Sequence, residues 1–140
     1  MNRSFFLFTG LLLTVFACKT QTPSENDHTR LHDIWALQSM KQKDLPESAK
    51  GKPYIEIHVK DGKLMGNGGC NQLFGNIAFE GEKGIRFSNI GSTKMACPEL
   101  KVESEFLQLL QAVRSYELRE LSLFLFGENG EELLKLKKVD

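Results

Sequence analysis

Short stretches of alternating apolar and polar residues run through most of the chain. Between residues 54 and 60 every second side chain is aliphatic (Ile55, Ile57 and Val59), which is the period of a strand with one buried face. Asp61-Gly62 follows, a pair typical of the tight turn between two antiparallel strands. Similar stretches predict further strands at 34–40, 63–67, 74–80, 85–90, 116–118, 121–126 and 133–139, with a loop at 41–53.

One segment has the spacing of a helix instead. Its apolar residues fall at i, i+4, i+7, i+8 and i+11, on a single helical face: Val102, Phe106, Leu109, Leu110 and Val113. Pro98, Glu99 and Glu103 are typical of a first helical turn. Strands, one helix and further strands predict a mostly β or α+β fold, as a compact antiparallel sheet or a small barrel-like β structure with one amphipathic helix.

The first seventeen residues have the pattern of an export signal. Arg3 precedes an apolar run at 5–16, which is shorter than the ~20 residues that span a bilayer. The run ends in Val15-Phe16-Ala17-Cys18, which resembles a bacterial lipobox. That resemblance implies cleavage before Cys18 and attachment of acyl chains, which anchor a protein to a membrane. We therefore predict a lipoprotein signal peptide at 1–17 with Cys18 as the lipidation site.

Residues 19–29 contain no aliphatic or aromatic side chain, so they cannot contribute to a hydrophobic core. We predict a lipid-anchored flexible tether at 18–30, with His28 exposed to solvent, and a folded domain at 31–140. The predicted location is the cell envelope, with the lipid in the outer membrane and the domain facing the periplasm.

Composition and charge narrow the possible functions. The chain has 140 residues, with 18 basic and 18 acidic side chains. This length fits one domain, and a neutral chain lacks the basic surface that nucleic-acid binding requires. We expect a monomer that contacts a membrane through its lipid anchor and binds an unidentified envelope protein or ligand, but no nucleic acid.

Two cysteines, Cys70 and Cys97, remain besides the lipidated one. In an exported protein we expect a disulfide between them, because the compartment is oxidising, and two free buried thiols are the alternative. A metal site needs more ligands at short spacing, so we predict no metal and no cofactor. A cysteine nucleophile with His58 as its base lacks a third residue to orient the pair, so we do not expect an enzyme.

The run Gly66-Asn67-Gly68-Gly69 stands out among the glycines. A phosphate-binding loop opens directly into a helix, whereas the residues after this run lead into a predicted strand. We therefore interpret these glycines as a bulge or sharp bend that needs their backbone freedom or small size.

Four segments carry a family resemblance: Trp35-Ala36-Leu37, GNGGCNQLFG at 66–75, STKMAC at 92–97 and ESEFL at 103–107. In this order they resemble the META domain, also called HslJ-like, over residues 31–138. The resemblance implies a small envelope-associated domain with a compact, mostly antiparallel, barrel-like β structure and one helix. Some relatives are associated with heat shock or antibiotic resistance, and the family supplies no catalytic residue. Its motif core corresponds to Trp35, Gly69, Cys70, Asn71, Thr93, Met95 and Cys97.

The chemistry of these residues suggests structural roles. We expect Asn71 to adopt a left-handed backbone angle and to bond its own neighbours in a turn. The Thr93 hydroxyl is expected to hold a loop, and Met95 to fill a gap in the packing. Trp35 is expected in the core, with its indole N–H on one partner.

Together these observations favour a non-enzymatic, lipid-anchored envelope domain that binds another envelope component or protects it under stress. The first alternative is a small inhibitor or ligand-binding barrel, which an aromatic surface groove would favour and a solid core would count against. The second is a thiol-dependent enzyme using Cys70 or Cys97, which requires an exposed, reactive thiol.

Overall fold

The computed structural model describes residues 28–45, 51–98 and 100–139. A 3₁₀ helix at His28–Leu31 comes first. The strands are β1 (Ile34–Met40), β2 (Lys43–Asp44), β3 (Tyr54–His58), β4 (Lys63–Asn67), β5 (Gln72–Glu80), β6 (Gly84–Ser92), β7 (Ser115–Arg119), β8 (Ser122–Phe126) and β9 (Glu132–Lys138). The α-helix, α1 (Lys101–Ala112), lies between β6 and β7 in the chain. For the residues that the structure describes, the predicted fold class, mostly β with one amphipathic helix, is confirmed.

The strands pair antiparallel and close into a ring. Chain neighbours pair in order from β3 to β9, and β1 closes the ring because it pairs with both β3 and β9. β2 adds only a short extension to β1. The weakest seam is between β6 and β7, whose register contains the single pair Gly84↔Ser115, and α1 packs against β6 there.

One hydrophobic core fills the interior of the ring. In β3 the side chains of Ile55 and Ile57 are buried and their neighbours are half-exposed, as the alternation predicts. Trp35 is 2% exposed, and its indole N–H donates to the Leu31 carbonyl at 2.9 Å, as expected. The predicted helical face also points into the core, with Val102 partly buried and the others buried: Phe106, Leu109, Leu110 and Val113.

The ring has two ends that carry different parts of the chain. We call one the disulfide end; it holds the β4–β5 turn (68–71) and, between β6 and α1, residues 93–98 and Leu100. The other, the amino-terminal end, holds the 3₁₀ helix and the turns at 59–62 and 81–83. The nine residues of β5 run from one end to the other, a distance of about 27 Å at the rise of a strand.

One strand was not expected from the sequence. The predicted loop at 41–53 contains β2, which folds back on the end of β1. The turn between them has Lys41 and Gln42 at positive φ, 48° and 62°. Such a turn usually contains glycine or asparagine, so the sequence gives no signal for it.

The prediction that His28 is exposed to solvent is wrong. Its ring stacks on Phe79 with centroids 4.4 Å apart, and its Nε2–H donates to the Gly81 carbonyl at 3.0 Å. Its Nδ1 lies 2.8 Å from the Tyr116 hydroxyl. The segment is polar, but a histidine can be held by stacking and hydrogen bonds without an apolar pattern. The predicted signal peptide at 1–17, Cys18 and the tether up to residue 27 lie outside the described residues.

Candidate functional site

The cysteines of the motif meet at the disulfide end. Cys70 in the β4–β5 turn is bonded to Cys97 in the segment before α1, with Cα atoms 6.4 Å apart. This is the pairing that the sequence favoured over two free thiols. The bond ties the strand half of the domain to the loop that leads into the helix.

Asn71 lies at the centre of the site and is only 3% exposed. Its Oδ1 accepts hydrogen bonds from the Met95 backbone N–H at 2.7 Å and from the Thr93 hydroxyl at 3.0 Å. Its Nδ2 donates to Glu103 Oε1 at 2.7 Å. One amide side chain therefore links the β4–β5 turn to the segment after β6 and to α1.

Glu103 completes the site from the first turn of α1, and it is 6% exposed. Its Oε2 accepts from the backbone N–H groups of Asn71 at 2.7 Å and Cys70 at 3.2 Å. Leu100, at the start of the helix, provides no side-chain cap. The carboxylate is thus directed away from its own helix end and toward the turn, where buried hydrogen bonds to an ionised group are strong.

Two glycines make this approach possible. A Cβ on Gly68 would lie 2.5 Å from Glu103 Cγ, closer than carbon atoms can approach without displacement. Gly69 has φ +114°, a backbone conformation that other residues rarely adopt. The interpretation of this run as a sharp bend that needs glycine is confirmed. The turn also holds an anion, but that anion is the chain's own carboxylate, so the N–H groups of Cys70 and Asn71 are already taken.

The expected roles of the motif residues are only partly correct. The Thr93 hydroxyl does hold a loop, because it accepts from the Gln72 N–H at 3.2 Å and donates to Asn71. Asn71 is not among the residues at positive φ, and its side chain bonds distant residues rather than its neighbours. Met95 is 56% exposed, so it does not fill a gap in the core. Trp35 belongs to the core, with its indole bonded to Leu31.

Glu103 was missed as a site residue, although the sequence contained a signal for it. It lies three residues before Phe106 and seven before Leu110, on the apolar face of α1. A carboxylate on a buried helical face needs hydrogen-bond partners. Its position near the start of the helix offered a simpler explanation through the helix dipole, and that explanation was incomplete.

The amino-terminal end is held by half-exposed contacts. Lys138 Nζ, at the end of β9, pairs with Asp33 Oδ2 at 2.6 Å. Burial raises the pKa of Asp33, but hydrogen bonds from Lys138 and the Ile34 N–H outweigh it and hold this pKa below its usual value. His58 also lies toward this end, because it pairs with Lys63 at the start of β4 while Cys70 follows the end of that strand. The suggested pair of a cysteine nucleophile and His58 therefore does not form.

Two features, a metal site and a membrane-spanning helix, are absent from the described ranges. Residues 28–45, 51–98 and 100–139 contain no group of three or more His, Cys, Asp or Glu side chains placed to hold a metal ion. Within the same ranges, no helix is both long and apolar enough to cross a membrane.

An open depression of about 470 Å³ lies beside the Lys41-Gln42 turn, lined mainly by Phe126 and residues 130–133.

The profile of the META domain family matches residues 27–140. The chain belongs to the META domain family. The match begins one residue before the 3₁₀ helix, which agrees with the contacts of His28, whereas the domain was predicted to begin at residue 31. No curated protein matches the chain.

Solved structures share the fold of this META domain. An NMR structure of a protein from Burkholderia xenovorans is 20% identical with a TM-score of 0.63, over 97% of this chain and 98% of that one. A crystal structure of a DUF4847 family protein from Bacteroides vulgatus is 17% identical with a TM-score of 0.55, over 79% of this chain and 96% of that one. At such identities the similarity concerns the fold alone.

Proposed function

We propose that this META domain is a non-enzymatic, lipid-anchored component of the cell envelope that binds another envelope protein through its disulfide end. The observation that carries the proposal is the position of the motif cluster. It lies at the end of the ring opposite to the residues that follow the predicted anchor.

Two features support an envelope location. The first is the lipobox-like Val15-Phe16-Ala17-Cys18 after an apolar run. The second is the Cys70–Cys97 disulfide, since such bonds persist in oxidising compartments outside the cytosol. The outer membrane, with the domain facing the periplasm, remains the specific location we propose. A protective role under envelope stress rests on the family resemblance alone.

The packed interior argues against a ligand-binding barrel. Side chains from the strands and the helix fill the ring, and they include the fully buried Phe106 and the nearly fully buried Trp35 and Tyr116. A barrel that carries a small apolar molecule needs an internal cavity or an aromatic groove. We therefore place binding on the outer surface.

The geometry favours the disulfide end for contact with a partner. His28 lies ten positions after Cys18 (28 − 18 = 10) and is held at the amino-terminal end. A flexible segment of that length has a root-mean-square extension of about 17 Å. The disulfide end, about 27 Å further along β5, would thus be directed away from the anchoring bilayer. There Met95 is 56% and Leu100 40% exposed, next to a rigid hydrogen-bonded cluster.

Anchoring is tested by replacing Cys18 with Ser. The wild-type protein should partition into detergent, and the C18S variant should stay in the aqueous phase after export. A wild-type protein found entirely in the aqueous phase would end the lipoprotein proposal. Density-gradient separation of the two membranes then tests the outer-membrane location.

Binding is tested by placing a photoreactive amino acid at residue 95 or at residue 121, in intact cells. Met95 is 56% and Leu121 49% exposed, so the two sites are matched in exposure. Leu121 lies at the amino-terminal end, where its carbonyl accepts from the Lys138 N–H at 2.8 Å. We expect one adduct of defined mass from residue 95 and none from residue 121. The Met95→Asp variant should then fail to recover the partner, whereas Leu121→Asp should recover it. Equal adducts from both ends would contradict the proposal.

The proposal assigns no reaction to the domain. Titration of thiols in natively exported protein, with and without reductant, tests this point. We expect Cys70 and Cys97 to react only after reduction. A cysteine that reacts at neutral pH without reductant would favour the thiol-dependent enzyme instead.

A further inference from the structure

The β4–β5 turn is constructed as a receptor for an anion. The backbone N–H groups of Cys70 and Asn71 and the Asn71 side-chain amide converge on one place, where they meet both oxygens of Glu103 at 2.7 to 3.2 Å. Successive backbone N–H groups that converge in this way form anion-binding concavities. Because Gly68 has no Cβ, a carboxylate can occupy the place on which these donors converge.

We propose that this turn is a carboxylate-binding site, formed by Gly68, Cys70 and Asn71, which the chain fills with its own Glu103. The inference does not depend on the proposed function. It predicts that the site persists when the Glu103 side chain is removed and then takes up a free carboxylate from solution.

The donors are held in place by contacts that do not involve Glu103. The Gly68 N–H donates to the Asn71 carbonyl at 2.8 Å, which closes the turn. Met95 N–H and the Thr93 hydroxyl fix Oδ1 of Asn71, and this leaves Nδ2 directed at the carboxylate. The Cys70–Cys97 disulfide connects the turn to the segment before α1. The receptor is therefore preorganised, and Glu103 is its ligand.

The chemistry favours a carboxylate over a more highly charged anion. Oε1 of Glu103 accepts a hydrogen bond from Nδ2 of Asn71. Oε2 accepts two, from the backbone N–H groups of Cys70 and Asn71. No Lys or Arg side chain forms an ion pair with Glu103 in the described part of the chain. Three neutral donors shared between two oxygens suit a planar group with one negative charge, whereas a paired cation would have favoured a more highly charged anion.

The test is rescue of Glu103→Ala by acetate. Alanine keeps Cβ, and acetate supplies a methyl carbon and a carboxylate in place of Cγ and the carboxyl group. We expect the Tm of E103A to rise with sodium acetate, in proportion to the logarithm of its concentration once that exceeds the Kd, while sodium chloride at equal concentration has no such effect. For a Kd of about 10 mM, about 100 mM acetate would raise Tm by about 5 °C. In ¹⁵N spectra, the amide signals of Cys70 and Asn71 should shift with acetate and saturate at concentrations well above the same Kd.

Two destabilised variants serve as controls. Glu103→Gln leaves the site filled by a side chain of the same size, and Phe106→Ala weakens the fold in the core, where Phe106 is 0% exposed. Neither should gain from acetate. An equal gain in all three variants would be a general salt effect and would overturn the proposal, as would the absence of any rise or amide shift in E103A.

Should E103A be unfolded without a ligand, the folded fraction becomes the readout. Trp35 is the single tryptophan and lies in the core, so its fluorescence reports folding. Folding restored by acetate and not by chloride supports the site. A chain that stays unfolded at saturating acetate overturns it.

Discussion

The two ends of the ring are stabilised in different ways. At the disulfide end a covalent bond and the nearly fully buried side chains of Asn71 and Glu103 hold three segments together. At the amino-terminal end the contacts of His28 and the Asp33–Lys138 pair are partly exposed to water. Hydrogen bonds shielded from water contribute more than exposed ion pairs do. We therefore expect the disulfide end to be rigid and the end next to the tether to open at low cost in free energy.

Both ends of the ring pack on the same hydrophobic core. A substitution that removes a core side chain should therefore have the largest effect on the free energy of unfolding. Phe106 is 0% exposed, so Phe106→Ala should lower the free energy of unfolding by about 4 kcal/mol through lost burial and a cavity. Gln108 is exposed on the same helix, and Gln108→Ala should change the free energy of unfolding by less than about 0.5 kcal/mol. Urea unfolding measures both. Similar losses of stability in both variants would mean that the buried face of α1 is assigned incorrectly.

Removal of the disulfide should separate the two ends most clearly. The double variant Cys70→Ala/Cys97→Ala opens a loop with a sequence separation of 27, which on the chain-entropy model costs about 3–4 kcal/mol. Amide hydrogen exchange should accelerate mainly at 68–71 and 93–98, and much less at 28–33. The same acceleration at both ends would show that they are not distinct in stability.

A single hydroxyl at the exposed edge of the hydrogen-bonded network around Asn71 tests that network without changing its shape. Thr93→Val removes one hydrogen bond to Asn71 and one from Gln72, and we expect a loss of about 1–2 kcal/mol. Ser104→Ala is the control, since Ser104 is exposed on α1 and should tolerate the change. Thermal unfolding compares the two variants. An unchanged Tm for Thr93→Val would show that these hydrogen bonds do not stabilise the disulfide end.

At the amino-terminal end, His28 offers a graded test. His28→Ala should cost about 1 kcal/mol, because it removes the stack on Phe79 and the hydrogen bonds to Gly81 and Tyr116. His28→Phe retains an aromatic ring and should recover part of that loss. Unfolding by urea gives both values. If His28→Ala lowered the free energy of unfolding as much as loss of the disulfide does, the two ends would not differ in stability as expected.

The smallest effect should come from Asp33 and should depend on pH. Its pKa in the folded protein is lower than the ordinary value of 3.8, so its stabilising contribution is complete above that value and is lost as pH falls through the folded-state pKa. Asp33→Asn keeps an oxygen for the Ile34 N–H but loses the charge. The variant should be less stable by under about 1 kcal/mol at pH 7, and the difference should vanish in acid. A difference that is constant from pH 7 to pH 2 would contradict this.

Much of the fold could be predicted because burial alternates along the strands. The predicted segments at 34–40 and 63–67 coincide with β1 and β4, and the helical spacing found the buried face of α1. β2 was missed because its turn uses Lys41 and Gln42 at positive φ, which no local preference indicates. Strand periodicity reports which face is buried, but it does not report unusual turns.

The site was harder to predict because it depends on contacts between distant segments. The motif identified Cys70, Asn71, Thr93 and Cys97 as residues that belong together. The hydrogen bonds of Cys70 and Asn71 to Glu103 span 33 and 32 residues of sequence, and spacing alone does not indicate them. The error over Met95 has a simple cause: its backbone N–H takes part in the network, while its side chain points outward.

The pairing of β1 with β9 has a consequence for how the domain forms. Trp35 is opposite Lys138, so the first and last strands must meet across about a hundred residues, and such distant contacts slow folding. Leu134 and Leu136 of β9 are both 0% exposed, which means that a chain without its last strand lacks part of its core. The ring therefore closes only once β9 has been synthesised. Until then the polypeptide has no closed ring, and such a chain can be threaded through a narrow pore more easily than the finished ring.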